Sequence, residues 1–297
     1  MTAREPHRLA FPALLLGNVA LAFGPWMVRL ADTGAVAAGF WRLFLAIPFL
    51  WLITRGAGQR APWPGRALFV TLAIATAFYA ADLAAWNVGI RMTKLGNATL
   101  FGNVASFVFA AWGLWLVRRW PTPVQGLALL LAAGGAVLLM TGSAELSARN
   151  LHGDLLTLMA GLLYAGYLIG VERARLTMHP LPLLLLVTIM GAALLLPLSL
   201  ALGETVWPND WTPLLIFALS SQVLGQGLLV YAIGTLPPLI VGLALLTQPA
   251  VSALIGWLAY GETLSSLDWI GAIAIGAALV LVRLPARGLR APPEQTN

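Results

Sequence analysis

Long apolar stretches alternate with short polar ones along the whole chain, and ten of the apolar stretches are about one bilayer long. They run Leu9–Val28, Val36–Thr54, Leu68–Ile90, Leu95–Val117, Val124–Thr141, Gly153–Ala174, Leu181–Leu202, Trp211–Gly234, Pro238–Tyr260 and Leu267–Leu284. Crossing about 30 Å of hydrocarbon takes roughly 20 apolar residues, and within such a segment a helix satisfies its own backbone polar groups. The pattern therefore predicts an all-α polytopic membrane protein with ten transmembrane helices joined by short loops. The run after the opening MTAREPHR is full length and lacks a convincing small-x-small cleavage site, so it reads as a first helix rather than a removed signal peptide.

The second five stretches are a faint copy of the first five. A shift of 145 residues lays Gly89 on Gly234, Trp112 on Trp257, Gly126 on Gly271 and Asn103 on Gln248. Five is odd, so a second copy enters the membrane from the opposite side, which is how many secondary transporters build two gates around one central site. The expected organisation is a first five-helix repeat over 1–146 and a second, inverted one over 147–297. Val104 and Val117 stand where Pro249 and Glu262 stand in the second half, so the two gates are expected to differ.

Charge orients the spans. The chain is 60% hydrophobic and only 9% charged, against about 25% charged in soluble domains. With the N-terminus inside, Arg4, Arg8, Arg55, Arg60, Arg66, Arg118, Arg119, Arg173, Arg175, Arg283, Arg287 and Arg290 fall on the cytoplasmic side. Arg29, Arg91, Lys94 and Arg149 fall outside, and Arg42 lies within the second span. Positive-inside bias thus predicts both termini in the cytoplasm. The net charge of +6 is a topology signal, not a nucleic-acid footprint. With no cysteine there is no disulfide or thiolate chemistry, and no cofactor is implied.

The stretch TQPAVSALIGWLAYGETLSSLDWIGAIAIGAALVLV, with Pro249, Trp257, Glu262 and Gly271, resembles the EamA repeat of the drug/metabolite transporter superfamily. GFWRLFLAIP around Arg42 is similar to that family's second helix, and YAADLAAWNVGIRMTKLGNATLFGN looks most like the YddG-type amino-acid exporters. The resemblance implies ten helices with inside termini. It also implies a central cavity formed by the first, third, fourth, sixth, eighth and ninth spans, and export from a bacterial cytoplasm across the inner membrane.

Ionisable groups at mid-bilayer cost about 2.5–3.5 kcal/mol on insertion scales, so each needs a partner or a wet cavity. Asp82 is the clearest case. Tyr79, Asp82 and Trp86 fall at i, i+3 and i+7 on one helical face, a ring–carboxylate–ring stripe suited to an ammonium group with an apolar side chain. The competing reading pairs Asp82 structurally with Arg29, Arg42 or Arg91. Asn103 with Ser106, Gln248 with Ser252, and Gln222 with Gln226 share helical faces; amides like these are often interhelical glue. The repeat relation of Asn103 and Gln248 raises them to candidate substrate ligands. Tyr164 and Tyr167 are placed to complete an aromatic box with Tyr79 and Phe101. Trp51, Trp63, Trp115, Trp120, Trp207, Trp211 and Trp269 read as interfacial anchors. Pro25 and Pro249 interrupt helices of opposite halves and suit gates as well as ordinary kinks.

No reactive constellation suggests an enzyme, and no P-loop suggests direct use of ATP. The expected function is a secondary transporter working by alternating access that exports amino acids, aromatic and other neutral ones. Its partners are these small-molecule substrates and the lipid bilayer, with no nucleic acid. The alternative is an exporter of cationic drugs or other metabolites through the same cavity.

Overall fold

The structure, a computed structural model, describes residues 8–59, 64–93, 95–118, 120–141, 150–260 and 265–283. Arg4, Arg60, Trp63, Lys94, Arg119, Arg149, Glu262, Arg287 and Arg290 lie outside the described residues. Among the described residues the chain is all helix, with ten helices and no strand. These are α1 (Ala10–Leu30), α2 (Ala35–Gly56), α3 (Arg66–Met92), α4 (Leu95–Gly102 continued by Val104–Val117) and α5 (Pro123–Thr141). The second set is α6 (Leu151–Ala174), α7 (Pro180–Ala201), α8 (Thr212–Ile233), α9 (Pro238–Leu245 continued by Thr247–Tyr260) and α10 (Ser266–Arg283). Each coincides with a predicted span to within a few residues. Six of them (α1, α2, α3, α6, α7 and α8) are individually long and apolar enough to cross a membrane, and the other four are shorter or interrupted.

The exterior carries large apolar side chains along the whole helix lengths, such as Leu52, Ile74, Leu130, Leu162, Leu200 and Ile273. Exposed hydrophobics on this scale mark a lipid-facing surface. Trp51, Trp115, Trp120, Trp207, Trp211 and Trp269 are exposed near helix ends, the level at which amphipathic rings anchor a bundle.

Between helices the packing rests on small residues, because lipid tails compete with any purely apolar contact and only close backbone approach gains dispersion energy. The principal seams join α3 to α6, α5 to α10, α2 to α7, α4 to α9 and α1 to α8. A Cβ on Gly170 of α6 would lie 2.5 Å from Ala75 of α3, and one on Gly135 of α5 would lie 2.7 Å from the Gly271 carbonyl of α10. The glycine and alanine stretches of α5 and α10 meet along this seam. Between α1 and α8, Gly17 would meet the Gly225 carbonyl at 3.0 Å.

Two loop faces are laced by hydrogen bonds. On one, Glu204 accepts from the backbone N–H of Val36 and Ala37, and Gly34 N–H donates to the Thr205 carbonyl at 2.8 Å. Trp41 Nε1 donates to Val206 at 2.6 Å, and Asp32 accepts from the amides of Asn209 and Asp210. Arg91 ties the end of α3 to the Thr33 and Val28 carbonyls. On the opposite face, Gln59 Oε1 accepts from Leu181 N–H. Buried there too, Arg175 donates to the Val230 and Met178 carbonyls.

Candidate functional site

Four helices depart from regular α geometry, and each does so beside one cavity. In α1 the break falls at Phe23 (φ −74°, ψ −16°), where Pro25 lacks the N–H that would bond Leu21 and its ring crowds that carbonyl. Pro249 acts in the same way on α9, where the turn tightens at Leu246 (φ −67°, ψ −6°) and Leu246 N–H donates to Leu243. Asn18 of α1 and the Thr247 hydroxyl both donate to the Ala244 carbonyl, each at 2.7 Å.

No proline explains the break in α4. Here Asn103 (φ −70°, ψ −4°) bonds its own side chain back to the Thr99 carbonyl at 2.6 Å, while Trp86 of α3 lies directly on Gly102. A Cβ on Gly102 would overlap the indole, and one on Gly161 of α6 would lie 2.6 Å from the Gly102 carbonyl. In α8, Ala218–Gln226 winds as a π-helix, a rare geometry that occurs frequently at functional sites.

The cavity enclosed by these irregular segments has an empty volume of about 830 Å³ including its mouth. Irregular backbone at membrane depth is tolerated where it is buried in protein or lines a water-filled space. Of the predicted site residues, Tyr79, Asp82, Trp86, Asn103, Tyr164, Gln248 and Pro25 all line it, together with Ser106 and Ser252. Phe101 is half-buried and Pro249 is buried, and neither is among the lining residues.

A hydrogen-bonded network forms the floor on the α2, α3 and α8 side. Tyr79 donates to Gln222 Oε1 at 2.7 Å, and Gln222 Nε2 donates to Thr188 Oγ1 at 2.9 Å. Arg42 donates through Nε to Gln222 at 3.2 Å and through Nη2 to the Tyr79 hydroxyl at 3.1 Å. Its guanidinium lies 4.9 Å from the Phe217 ring centre. Gln226 accepts from Tyr167 and donates to the Tyr164 hydroxyl at 3.0 Å. Tyr79 and Tyr167 stack at 4.3 Å, with Tyr164 beside them. The aromatic box thus contains Tyr79, Tyr164 and Tyr167, while Phe101 takes no part in these ring contacts.

Among the described residues Asp82 makes no hydrogen bond or ion pair; its electrostatic neighbour is Arg42. Arg29 and Arg91, the other structural partners considered, bond to backbone carbonyls instead. Three features were not legible beforehand: the role of Phe217, the π-helical segment, and the seating of Arg42 on Gln222 and Tyr79. The i, i+4 pair Gln222 and Gln226 was the available signal, because it places two amides on one face of α8.

On one side of the breaks α4 and α9 touch, through Val104–Val117 and Pro238–Leu245. A Cβ on Gly242 would lie 2.5 Å from the Ser106 carbonyl, and one on Gly113 would lie 2.9 Å from Leu239 N. Beyond the breaks the two helices part: Leu95–Gly102 packs on α6 and α5, whereas Thr247–Tyr260 packs on α1, α10 and α5. The cavity occupies the space that this parting opens.

A bundle of apolar helices around a cavity framed by broken helices, with a few polar groups in its wall, is an architecture suited to a membrane transporter. Residues 151–284 match the EamA-like transporter family, whose repeat the second half of the chain resembles. The threonine/homoserine exporter RhtA of Escherichia coli K12 is 29% identical over 210 residues, covering 68% of this chain and 68% of that protein. RhtA of Salmonella typhimurium LT2 is 28% identical over the same length and shares. A solved crystal structure shares the fold with a TM-score of 0.71 at 18% identity, covering 95% of this chain and 97% of its own.

Proposed function

We propose that the chain exports neutral amino acids, aromatic ones included, across a bacterial inner membrane by alternating access between two inverted five-helix repeats. The observation that carries this reading is the coincidence of the four irregular helices with one cavity that gathers Tyr79, Asp82, Trp86, Asn103, Tyr164 and Gln248. Broken helices at a mid-membrane site supply both polar groups for a substrate and points about which bundles rock.

The packing pattern supports the inverted repeat. Three of the main seams pair a helix with the one five places later: α2 with α7, α4 with α9 and α5 with α10. The other two, α3 with α6 and α8 with α1, exchange with each other under the same shift of five. A two-fold axis in the membrane plane produces this pattern. Repeat-related Asn103 and Gln248 both line the cavity.

With both termini cytoplasmic, the contact of α4 with α9 closes the cytoplasmic side and the cavity belongs to the outward-facing state. Export of threonine and homoserine by the RhtA relatives supports an amino acid as cargo. The rings of Tyr79, Trp86, Tyr164 and Phe217 offer apolar area for larger side chains. A purely cationic drug fits less well, because the cavity also presents Arg42.

Reconstitution of the purified chain in liposomes, with radiolabelled amino acids and with or without a pH gradient, tests the reading. Flux of neutral amino acids supports it. No flux under either condition overturns it.

A further inference from the structure

Among the described residues that line the cavity, Arg42 is the one basic side chain and Asp82 the one acidic side chain. We infer that they form a two-ended clamp that makes the cavity select α-amino-acid zwitterions, with Arg42 receiving the carboxylate and Asp82 the ammonium group. This inference rests on the reading of the chain as an amino-acid transporter and names the residues that define its substrate class.

Arg42 is held rather than free. Its Nε and Nη2 donate to Gln222 and Tyr79, and the Phe217 ring lies against it. A guanidinium has five N–H donors in a rigid fork, so about three remain after these two bonds. Those left over belong to Nη1 and the second hydrogen of Nη2, the pair that meets a carboxylate in the bidentate manner. Gln222 is itself fixed by Thr188, so the fork is oriented before any ligand arrives.

Asp82 stands one helical turn beyond Tyr79 on α3, on the face that lines the cavity. Its carboxylate is an acceptor without a hydrogen-bonded or ion-paired protein partner among the described residues. If the two residues existed to stabilise the bundle they would be paired with each other. Instead Arg42 is engaged by neutral groups, which orient its charge without neutralising it.

A buried charge left without a counter-charge is costly. A zwitterion satisfies both ends at once, whereas an amine leaves Arg42 uncompensated and a simple carboxylate leaves Asp82 uncompensated. Side-chain selectivity is then the business of the surrounding rings, and the clamp reads only the backbone part of the ligand.

The test is inhibition of radiolabelled L-phenylalanine and L-threonine flux through the full chain in liposomes. The inhibitors are unlabelled L-phenylalanine, phenethylamine, which lacks the carboxylate, and 3-phenylpropanoate, which lacks the ammonium group. The clamp predicts that both analogues inhibit about 100-fold more weakly than the amino acid, the upper end of what one unpaired buried polar group costs. Inhibition by either analogue within about threefold of the amino acid, a difference too small for an unpaired buried charge, overturns it. In Asp82→Asn the discrimination against 3-phenylpropanoate should collapse while that against phenethylamine persists, and Arg42→Gln should show the converse. Should either variant fail to fold, the wild-type inhibition series decides the matter alone. Absence of any amino-acid flux overturns the transport reading, while flux with equal inhibition by all three compounds overturns only the clamp.

Discussion

Gly242 of α9 lies against the Ser106 carbonyl of α4, so closely that a Cβ there would sit 2.5 Å from the oxygen. This contact belongs to the seal that closes one side of the cavity, and it has no room for a side chain. Gly242→Val should keep the helices apart, with overpacking costing about 1–3 kcal/mol in the closed arrangement. The expected outcome is loss of flux together with greater accessibility of the cavity from the Val117 and Pro238 side, read by labelling Ser252→Cys in this cysteine-free chain.

Trp86 and Gly102 make the break in α4 without a proline. A methyl group on Gly102 collides with the indole, so Gly102→Ala should displace Trp86 and impair transport. Truncating the ring clears the space: in the Gly102→Ala, Trp86→Ala double variant the second substitution should cost far less than Trp86→Ala costs alone. Contacting residues typically show coupling of about 0.5–3 kcal/mol. Additive thermal-stability effects would contradict the direct contact.

Pro249 removes one backbone hydrogen bond from α9 and crowds the Leu245 carbonyl. Pro249→Ala should regularise the helix and raise the unfolding temperature, since an interior proline costs about 3 kcal/mol. Transport should fall in the same variant, because the bend that opens the cavity is lost. A variant that is both more stable and fully active would contradict the role assigned to the bend.

Tyr79 joins Arg42 and Gln222. Tyr79→Phe keeps the ring stack with Tyr167 and removes only the hydroxyl, leaving the second Arg42 bond unmade. The expected loss of stability is about 1–3 kcal/mol, the usual cost of leaving a buried polar group unsatisfied, measured by thermal unfolding in detergent. Tyr167→Phe, whose hydrogen bond is long at 3.4 Å, should cost less.

Asp32 lies on the loop face outside the spans, and accepting the Asn209 and Asp210 amides holds its carboxyl below the ordinary value of 3.8. Its folded pKa is depressed, so the stabilisation it gives is present above the unfolded value and is lost as pH falls through the folded one. Hydrogen exchange of the Asn209 and Asp210 amides should therefore accelerate, relative to neighbouring amides, only below about pH 4, and in Asp32→Asn the pH dependence should vanish.

The spans were legible because bilayer thickness imposes one length on every apolar stretch. Breaks caused by chemistry within the strand of sequence were legible too: Pro25 and Pro249 announce their own kinks. The break at Asn103 was not, because its cause sits on another helix, where Trp86 presses on Gly102. The π-helical turn in α8 carries no local signal, and it sets Gln222 and Gln226 at the centre of a network rather than at a lone helix–helix contact. Arg42 shows the same limit. Its intramembrane position marked it as unusual, but which buried polar groups it would meet depends on how α2, α3 and α8 come together. The α3 stripe of Tyr79, Asp82 and Trp86 was readable because three residues on one helical face stay together whatever the fold. Phe101, two residues before Asn103 on α4, falls on a different helical face from Asn103 and Ser106 and had no comparable constraint.

Alternating exposure of the cavity is most directly measured with Ser252→Cys, a side chain that lines it. The variant, in vesicles of each orientation, is treated with a membrane-impermeant maleimide in the presence and absence of transported amino acid. The account predicts labelling from both sides, slowed on each by the amino acid. Labelling from one side alone, unchanged by substrate, would contradict it.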